Sequence, residues 1–272
     1  MKNILITGAC GGIGKATCEL LISKGYNVYG LDFAESDIPG LHFIKADLTQ
    51  ADSVSSAFDI ISKQVDELDA IIHFAGIYKM NSLVEISEEN FVKMFNVNVF
   101  GAYRVNKTFL PLLKKGAKIL LTSSELAPLD PLPFTGLYGI TKTTIEKYAF
   151  SLRMELQLLD ISVSILRPGA VKTNMLPTTT NELDSFSKGT QLYKDNALRF
   201  KHIMDSVETK NITPQRLAKL VLKILTAKRP KYIYSINRNS YLRLLNALPQ
   251  KWQTKIVKRI LRDKYDKHKT QK

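Results

Sequence analysis

The decapeptide TGACGGIGKA, residues 7–16, lies between the apolar run ILI and the helix-like segment TCELLISKGYNV. A glycine-rich turn between a strand and a helix lets the backbone approach a phosphate at the positively polarised start of the helix. Gly8, Gly12 and Gly14 follow the spacing T-G-x-x-x-G-x-G rather than G-x-G-x-x-G. The same glycines could simply turn the chain, so the choice between the two uses depends on the surrounding sequence.

A carboxylate follows at the end of the second apolar run, NVYGLD. Asp32 stands 18 residues after Gly14, where it can bind the ribose hydroxyls of a dinucleotide and repel a phosphate on that ribose. No Lys or Arg stands directly before Gly12 to offset this repulsion. The two features predict a dinucleotide site that prefers NAD to NADP, although Asp32 could also be an ordinary turn residue at a strand end.

Short apolar runs alternate with segments of helical periodicity through most of the chain. This alternation is typical of a parallel sheet covered by helices on both faces. We find no internal repeat and no low-complexity linker before about residue 228, so one α/β domain is the simplest organisation. The runs are NILIT, NVYGL, HFIKA, DAIIHF, KILLTSS and SVSILRP, and the predicted helices cover about 12–24, 50–65, 87–114 and 136–159.

The charge of the chain is concentrated at its end. Residues 228–272 contain 14 Lys or Arg and 2 Asp, whereas residues 1–227 have a net charge of only +2. Cys10 and Cys18 are too few for a disulfide framework, and we interpret them as space-filling residues of a protein from a reducing compartment. The sequence has no apolar run long enough to span a membrane and no signal-peptide pattern, so we expect a cytoplasmic protein.

A second pattern, YGITK, places Tyr138 and Lys142 four residues apart, on one face of a predicted helix. A neighbouring ammonium favours the phenolate and would lower the pKa of a tyrosine from about 10 toward a useful range. Lys142 could also bind the ribose of a cofactor. The spacing occurs by chance on surface helices, but the position of this one behind KILLTSS favours a functional role.

Taken together, these motifs resemble the short-chain dehydrogenase/reductase family over roughly residues 2–234. The resemblance implies a Rossmann-like, doubly wound parallel sheet in the order 3-2-1-4-5-6-7, followed by a basic helical tail. We therefore divide the chain into an NAD(P)-binding domain, residues 1–235, and a C-terminal extension, residues 236–272. The motifs are TGACGGIG, Asp32, DL at 47–48, AG at 75–76, NVFG at 98–101, TSS at 122–124, YGITK and RPGAVKT.

The resemblance also implies an oxidoreductase that transfers a hydride between nicotinamide and a secondary alcohol or ketone. It gives Tyr138 the acid/base role, supported by Lys142, while Ser124 orients the substrate and Asn98 holds a proton-relay water. It implies no metal site. The implied NAD-binding residues, besides Tyr138 and Lys142, are Gly8, Gly12, Ile13, Gly14, Asp32, Asp47, Leu48, Ala75, Gly76, Pro168, Gly169, Val171 and Thr173.

Two positions depart from the family pattern. In HFAG, His73 and Phe74 replace two asparagines, and we interpret His73 as a structural side chain rather than a catalytic one. Ser124 precedes Tyr138 by 14 residues instead of 13, so Ser123 is retained as a second candidate. The insert PLDPLP accounts for the additional residue.

Residues 174–205 resemble the variable, substrate-covering region of the family. Their apolar groups favour a hydrophobic alcohol or ketone, such as a steroid, a retinoid or an acyl lipid, unless they only pack the cover itself. A 3-oxoacyl or small-carbonyl reductase is the alternative enzyme. A non-catalytic cofactor-binding regulator is opposed by the joint presence of Asn98, Ser124, Tyr138 and Lys142, which we call the tetrad. We expect no nucleic-acid binding. The apolar groups are Met175, Leu176, Phe186, Leu192, Tyr193 and Phe200.

The C-terminal extension contains an amphipathic helix, predicted over residues 251–262. Its apolar half, with Trp252 at the edge, opposes a basic half, which favours attachment to an anionic membrane at its inner face. The alternative is that the apolar stripes pack on the body or on a second subunit. The family resemblance implies a homodimer or tetramer, with the dimer favoured. The apolar half comprises Ile256, Val257, Ile260 and Leu261, the basic half Lys251, Lys255, Lys258, Arg259 and Arg262, and the preceding stripe Tyr241, Leu244, Leu245 and Leu248.

Overall fold

The computed structural model describes residues 2–172, 184–207 and 211–262. Seven parallel strands form one sheet in the order 3-2-1-4-5-6-7 with helices around it, which confirms the predicted Rossmann-like fold. The strands are β1 (Asn3–Thr7), β2 (Asn27–Asp32), β3 (His42–Lys45), β4 (Leu68–His73), β5 (Leu113–Thr122), β6 (Ser162–Pro168) and β7 (Ile233–Ile236).

The helices are α1 (Gly12–Ser23), α2 (Ala51–Ser62), α3 (Glu88–Phe95), α4 (Gly101–Phe109), α5 (Gly136–Leu156), α6 (Lys194–Val207), α7 (Pro214–Thr226), α8 (Ser240–Asn246) and α9 (Gln250–Leu261).

The sheet separates two apolar layers, because alternate residues of a strand face opposite sides. Leu5 and Ile71 belong to the layer that contains residues of α2, α4 and α5. Ile4 and Ile72 belong to the layer that contains residues of α1 and α7. Cys18 is completely buried in this second layer, as expected of a space-filling cysteine. The two layers hold the strand ends, and the residues that follow them, in fixed positions.

The helix predicted over residues 87–114 is interrupted. A π-helical segment, Asn96–Phe100, separates α3 from α4, and a 3₁₀ turn, Leu110–Leu112, ends the run. Pro111 has no N–H with which to continue the helix, and β5 begins at Leu113, earlier than predicted. The prediction was wrong here because an apolar repeat does not show where the hydrogen-bond pattern changes.

The C-terminal extension is helical, as expected, and lies against the body. β7 is the last strand of the sheet and pairs with β6; the division at residue 235, just before its last residue, stays a prediction. In α9, Leu261 is 8% exposed and packs with Met80 and Phe200. Within the described ranges, no helix has the length and apolar character needed to cross a membrane.

Candidate active site

The turn between β1 and α1 has no room for a side chain at two of its glycines. Gly8 has a φ of +71°, and a Cβ there would lie 2.5 Å from the backbone nitrogen of Ala75. A Cβ at Gly14 would lie 2.0 Å from the carbonyl oxygen of Gly8. α1 starts at Gly12 with no acidic side chain in its first turn. This bare helix N-terminus fits the pyrophosphate of a dinucleotide.

Asp32 is fixed beside this turn by backbone donors. The N–H of Cys10 donates to Oδ2 at 2.8 Å, and the N–H of Ala34 donates to Oδ1 at 3.0 Å. The first bond joins the end of β2 directly to the glycine-rich turn. The carboxylate therefore lies beside the glycine-rich turn, and its contact with an adenine ribose stays a prediction.

Asp47 and Leu48 follow β3, and both make local contacts. Oδ1 of Asp47 accepts bonds from the backbone N–H and the hydroxyl of Thr49, at 2.9 and 2.7 Å. Leu48 is 8% exposed, and its Cβ lies 3.2 Å from where a Cβ at Gly101 would be. These contacts shape the turn after β3, and the roles of both residues toward an adenine stay predictions.

The predicted nicotinamide end follows β6 and contacts the C-terminal extension. A Cβ at Gly169 would lie 1.9 Å from the carbonyl oxygen of Asn237, so only glycine fits there. Val171 is 7% exposed, pairs with Ile212, and has its side chain in the core. Its backbone is therefore what it can offer a cofactor. Pro168 accepts a bond from the N–H of Glu125, whereas Thr173 lies outside the described residues.

The hydroxyl of Ser124 lies near the phenol of Tyr138. Tyr138 lies in the first turn of α5, and Ser124 follows β5. Burial raises the pKa of Tyr138 to about 12, and the nearby Ser124 hydroxyl opposes that rise. Ser123 instead donates to Oε1 of Glu146 at 2.7 Å. The geometry therefore favours Ser124 over Ser123 as the partner of the tyrosine.

Lys142 lies next to Tyr138 but is bonded to the sheet. Its ammonium is 5.6 Å from the centroid of the tyrosine ring and donates to the Thr122 carbonyl at 3.0 Å. Burial lowers the pKa of Lys142 to about 8. The expectation that this ammonium would lower the pKa of Tyr138 is not met, because burial of the phenol dominates and the ammonium is bonded to a carbonyl.

Asn98 lies in the π-helical segment and is 3% exposed. Its Oδ1 accepts from the N–H of Ile77 at 2.8 Å, while Nδ2 donates to the Ile77 carbonyl at 3.0 Å and to the Thr141 hydroxyl at 3.1 Å. A Cβ at Gly76 would lie 3.3 Å from Oδ1 of Asn98 and 3.5 Å from Nζ of Lys142. The amide thus holds the Gly76 loop against Lys142, and its relay-water role stays a prediction.

His73 is a structural residue, as the sequence analysis proposed. It is 4% exposed, and its Nε2 lies 2.8 Å from Oδ1 of Asn106. Burial lowers the pKa of His73 to about 4, so the ring is neutral, and Nε2 carries the proton it donates. Asn106 in turn donates to the hydroxyl of Tyr148 at 3.1 Å. This network joins the end of β4 to α4 and α5.

Two residues near the tetrad were not identified from the sequence. Tyr78 packs its ring nearly perpendicular to that of Tyr138, with 4.8 Å between centroids. Glu125, the neighbour of Ser124, accepts a bond from the N–H of Asn239 at 2.5 Å, and burial raises its pKa. Neither residue belongs to a motif with a recognisable spacing. The only signal in the sequence was that they stand close to the AG and TSS motifs.

A pocket of about 810 Å³ lies beside the tetrad, between residues 130–136 and α9. Phe134 in its wall packs against Phe186 and Tyr193, with centroids 4.8 and 5.5 Å apart, and against Phe200 at 5.7 Å. Phe200 is 3% exposed, so part of the predicted cover packs inward, whereas Leu192 is 66% exposed. Met175 and Leu176 lie outside the described residues. The apolar lining includes Leu83, Val84, Leu132, Leu245, Val257 and Leu261.

Comparison with known proteins agrees with this fold. Residues 2–184 match the family model for short chain dehydrogenase. The chain therefore belongs to the short-chain dehydrogenase/reductase family, NAD(P)-binding oxidoreductases that act on CH–OH groups.

Individual relatives are distant but cover most of the chain. The 3-ketodihydrosphingosine reductase of Bacteroides thetaiotaomicron is 28% identical over 231 residues, 84% of this chain and 85% of that protein. Mouse estradiol 17-beta-dehydrogenase 2 is 26% identical over 269 residues, 89% of this chain and 69% of that protein. A short chain dehydrogenase family protein of Francisella tularensis superimposes with a TM-score of 0.73 and 29% identity, covering 87% of this chain and 97% of that one.

Proposed function

We propose that this protein reduces a hydrophobic ketone to a secondary alcohol and catalyses the reverse oxidation. The proximity of the Ser124 hydroxyl to the Tyr138 phenol, in a site that also holds the buried Lys142, supports this proposal. A bound nicotinamide cofactor supplies or accepts the hydride. The Ser124 hydroxyl orients the substrate oxygen, and Tyr138 gives that oxygen its proton during reduction or removes it during oxidation.

The protonation states favour reduction near neutral pH. A phenol with a pKa of about 12 carries its proton and is ready to donate it to a developing alkoxide. Lys142, with a pKa of about 8, is mainly an ammonium at pH 7 and stabilises the phenolate left behind. Oxidation needs the phenolate from the start, so its rate is expected to rise toward alkaline pH.

NAD is the cofactor we propose, with NADP less favoured. The Asp32 carboxylate, held by the N–H groups of Cys10 and Ala34, repels a ribose phosphate. Two cations of the neighbouring segments are already paired with acids at 3.0 and 2.7 Å. These pairs are Lys15 with Asp37 and Lys45 with Glu35.

A hydrophobic substrate is supported by the apolar pocket that begins two residues before Tyr138, at Gly136. The two relatives described above are named for a sphingoid ketone and for a steroid alcohol. A panel of long-chain ketones, steroids, short aliphatic ketones and 3-oxoacyl thioesters, assayed with NADH and NADPH in parallel, tests substrate and cofactor together. Reduction of the lipophilic ketones is expected. Preference for a 3-oxoacyl thioester or a small ketone would select the alternative reductase. Cofactor binding with no turnover across the panel would indicate a non-catalytic regulator.

We also propose a cytoplasmic homodimer whose subunits meet through the π-helical segment, α4 and α5. Phe100 and Tyr103 are 47% and 43% exposed, and Phe150 and Met154 on α5 are both 52% exposed. Light scattering at micromolar concentration is expected to give the mass of a dimer, and a monomer there would refute it. The basic residues of 228–272 and the lipophilic substrate favour a place at the inner face of an anionic membrane.

A further inference from the structure

The apolar half of α9 is divided between the body and the surface. Gln253 and Leu261 are 7% and 8% exposed, and Val257 packs in the same cluster as Leu261. Trp252 and Ile260 are instead 59% and 51% exposed. Packing on the body therefore holds for part of the stripe, and the exposed part needs its own explanation.

Polar contacts also anchor α8 and α9 to the body, the first of those below through Asn246 at the end of α8 and the others through α9. The N–H of Asp130 donates to Oδ1 of Asn246 at 2.6 Å, and Nε2 of Gln253 donates to Oδ2 of Asp130 at 2.9 Å. Nδ2 of Asn196 donates to the Leu261 carbonyl at 2.7 Å. The exposed side chains thus project from a helix that is already folded and fixed. A partner would bind them without first having to order the chain.

Cations surround the exposed apolar groups. The stretch 231–262 contains eight Lys or Arg and no Asp or Glu. Lys255 and Arg259 follow Trp252 by three and seven residues, so they share its side of the helix. The ammonium of Lys255 lies 5.6 Å from the Trp252 ring centroid. In α8 and just after it, Tyr241, Leu244 and Leu248 are 71%, 67% and 38% exposed. We call Tyr241, Leu244, Leu248, Trp252 and Ile260, with Arg243, Lys251, Lys255 and Arg259, the outer face.

We propose that the outer face docks on an anionic lipid bilayer, with Trp252 and Ile260 at the boundary between headgroups and acyl chains. This proposal identifies the surface that would contact the membrane, and it rests on the membrane location given in the proposed function. Exposed aliphatic and indole groups among uncompensated cations match a surface that is anionic outside and apolar beneath. A nucleic acid would match the cations but not Leu244 or Ile260.

Docking through the outer face would bring the pocket close to the bilayer. Thr254, Val257 and Leu261, on the inner side of α9, line the pocket of about 810 Å³ beside the tetrad. The same helix therefore contacts the bilayer on one side and forms a pocket wall on the other. A lipophilic substrate would be taken up next to the surface in which it is dissolved.

The single tryptophan of the chain is Trp252, so its fluorescence reports on the outer face alone. The full chain is mixed with phosphatidylcholine vesicles with and without phosphatidylglycerol. With anionic vesicles we expect a blue shift of the emission and co-flotation, both weakened by salt. Flotation without a blue shift would reduce the contact to charge attraction and overturn the proposal, as would a chain that stays in solution at low salt.

Two matched isoleucines separate apolar insertion from a general effect of substitution. Ile260→Asp removes an insertion group from α9, whereas Ile60→Asp changes an isoleucine of α2 that is 44% exposed and outside the outer face. We expect vesicle binding to fall about tenfold or more in the first variant and to stay unchanged in the second. Equal binding by both overturns the proposal. So does a self-association in solution that Ile260→Asp abolishes, because the outer face would then bind a second copy.

The membrane test is independent of the catalytic proposal. Ile260→Asp is expected to reduce a water-soluble ketone as fast as the unmodified chain does, because Ile260 lies outside the tetrad and the pocket lining. Vesicle binding without turnover would leave docking intact and remove the enzyme assignment. Turnover without vesicle binding would do the reverse.

Discussion

The tetrad region and the C-terminal extension differ in which side chains they bury: the first buries polar groups, and the second leaves apolar groups exposed. Asn98, Ser124 and Lys142 are only 3%, 7% and 5% exposed, and each is hydrogen-bonded inside the protein. Tyr241 and Leu244 of the extension are 71% and 67% exposed. Buried polar groups with partners are tuned for chemistry, whereas apolar groups left exposed beside cations are typical of a binding surface. The first region is therefore tested by rates and pH, and the second by binding.

The largest effect is expected from Tyr138→Phe, which removes the proton donor. Turnover should fall by about 10²–10⁴-fold while NAD affinity changes little, because only the phenolic oxygen is lost. Lys142→Met should weaken both turnover and cofactor binding. Stopped-flow rates and nucleotide titration measure the two quantities.

Tyr148→Phe is the matched control, since Tyr148 lies on the same helix and bonds to Asn106 rather than to Ser124. It should retain most activity. If the Tyr138 variant also retained it, the buried polar groups around that residue would be structural, and the contrast between the two regions would fail.

The next effect concerns stability, through His73. Its pKa is about 4 in the folded protein and about 6.5 when unfolded, so the unfolded chain binds more protons between these values. The stabilisation is complete above pH 6.5 and is lost as pH falls toward 4, by about 3 kcal/mol. Urea unfolding at several pH values measures this loss.

His73→Asn should flatten that profile, whereas replacing exposed His202 by Asn should leave it unchanged. A loss of the same size in the His73 variant would mean that other groups cause it. The pH response of the body would then not come from this buried site.

A smaller effect is expected from crowding the glycine-rich turn. Gly14→Ala puts a Cβ 2.0 Å from the Gly8 carbonyl oxygen, which backbone movement must relieve at a cost of about 1–3 kcal/mol. Thermal unfolding and NAD affinity should both report the loss. Gly189→Ala meets nothing within 4 Å and should be neutral. Equal results for the two would argue against a close-packed cradle.

The smallest effect is on cofactor choice. Asp32→Ala should narrow the ratio of catalytic efficiencies for NAD and NADP by about tenfold, because the repulsion of a ribose phosphate is removed. Initial rates with each nucleotide measure the ratio. Equal efficiencies in the unmodified protein would contradict the role given to Asp32.

The sequence was sufficient to predict a parallel sheet, because parallel strands are buried on both faces and appear as continuous apolar runs. The order of the strands came from the resemblance to the family. The sequence also predicted that Tyr138 and Lys142 are neighbours, since four residues make about one helical turn. It did not reveal Glu125, whose backbone partner Asn239 is distant in the chain. Nor did it show that the pKa of Tyr138 rises, because that depends on burial in three dimensions.

The amphipathic pattern of α9 was informative only up to a limit. Periodicity shows how wide an apolar stripe is but not what covers it, because a protein core and a lipid bilayer are both apolar solvents. The contacts of Val257 and the exposure of Ile260 divide the stripe, and only the folded chain supplies them.

The bond from Asn239 to Glu125 determines how the chain can be shortened. Glu125, one residue from Ser124, is partly buried, and the donor it accepts from belongs to the extension. A deletion that starts before residue 239 would leave this partly buried carboxylate without its donor, and we expect it to disturb the tetrad. An informative truncation must keep Asn239 and remove only later residues. The shortest truncated chain suitable for study of the tetrad therefore ends later in the sequence than the sheet does.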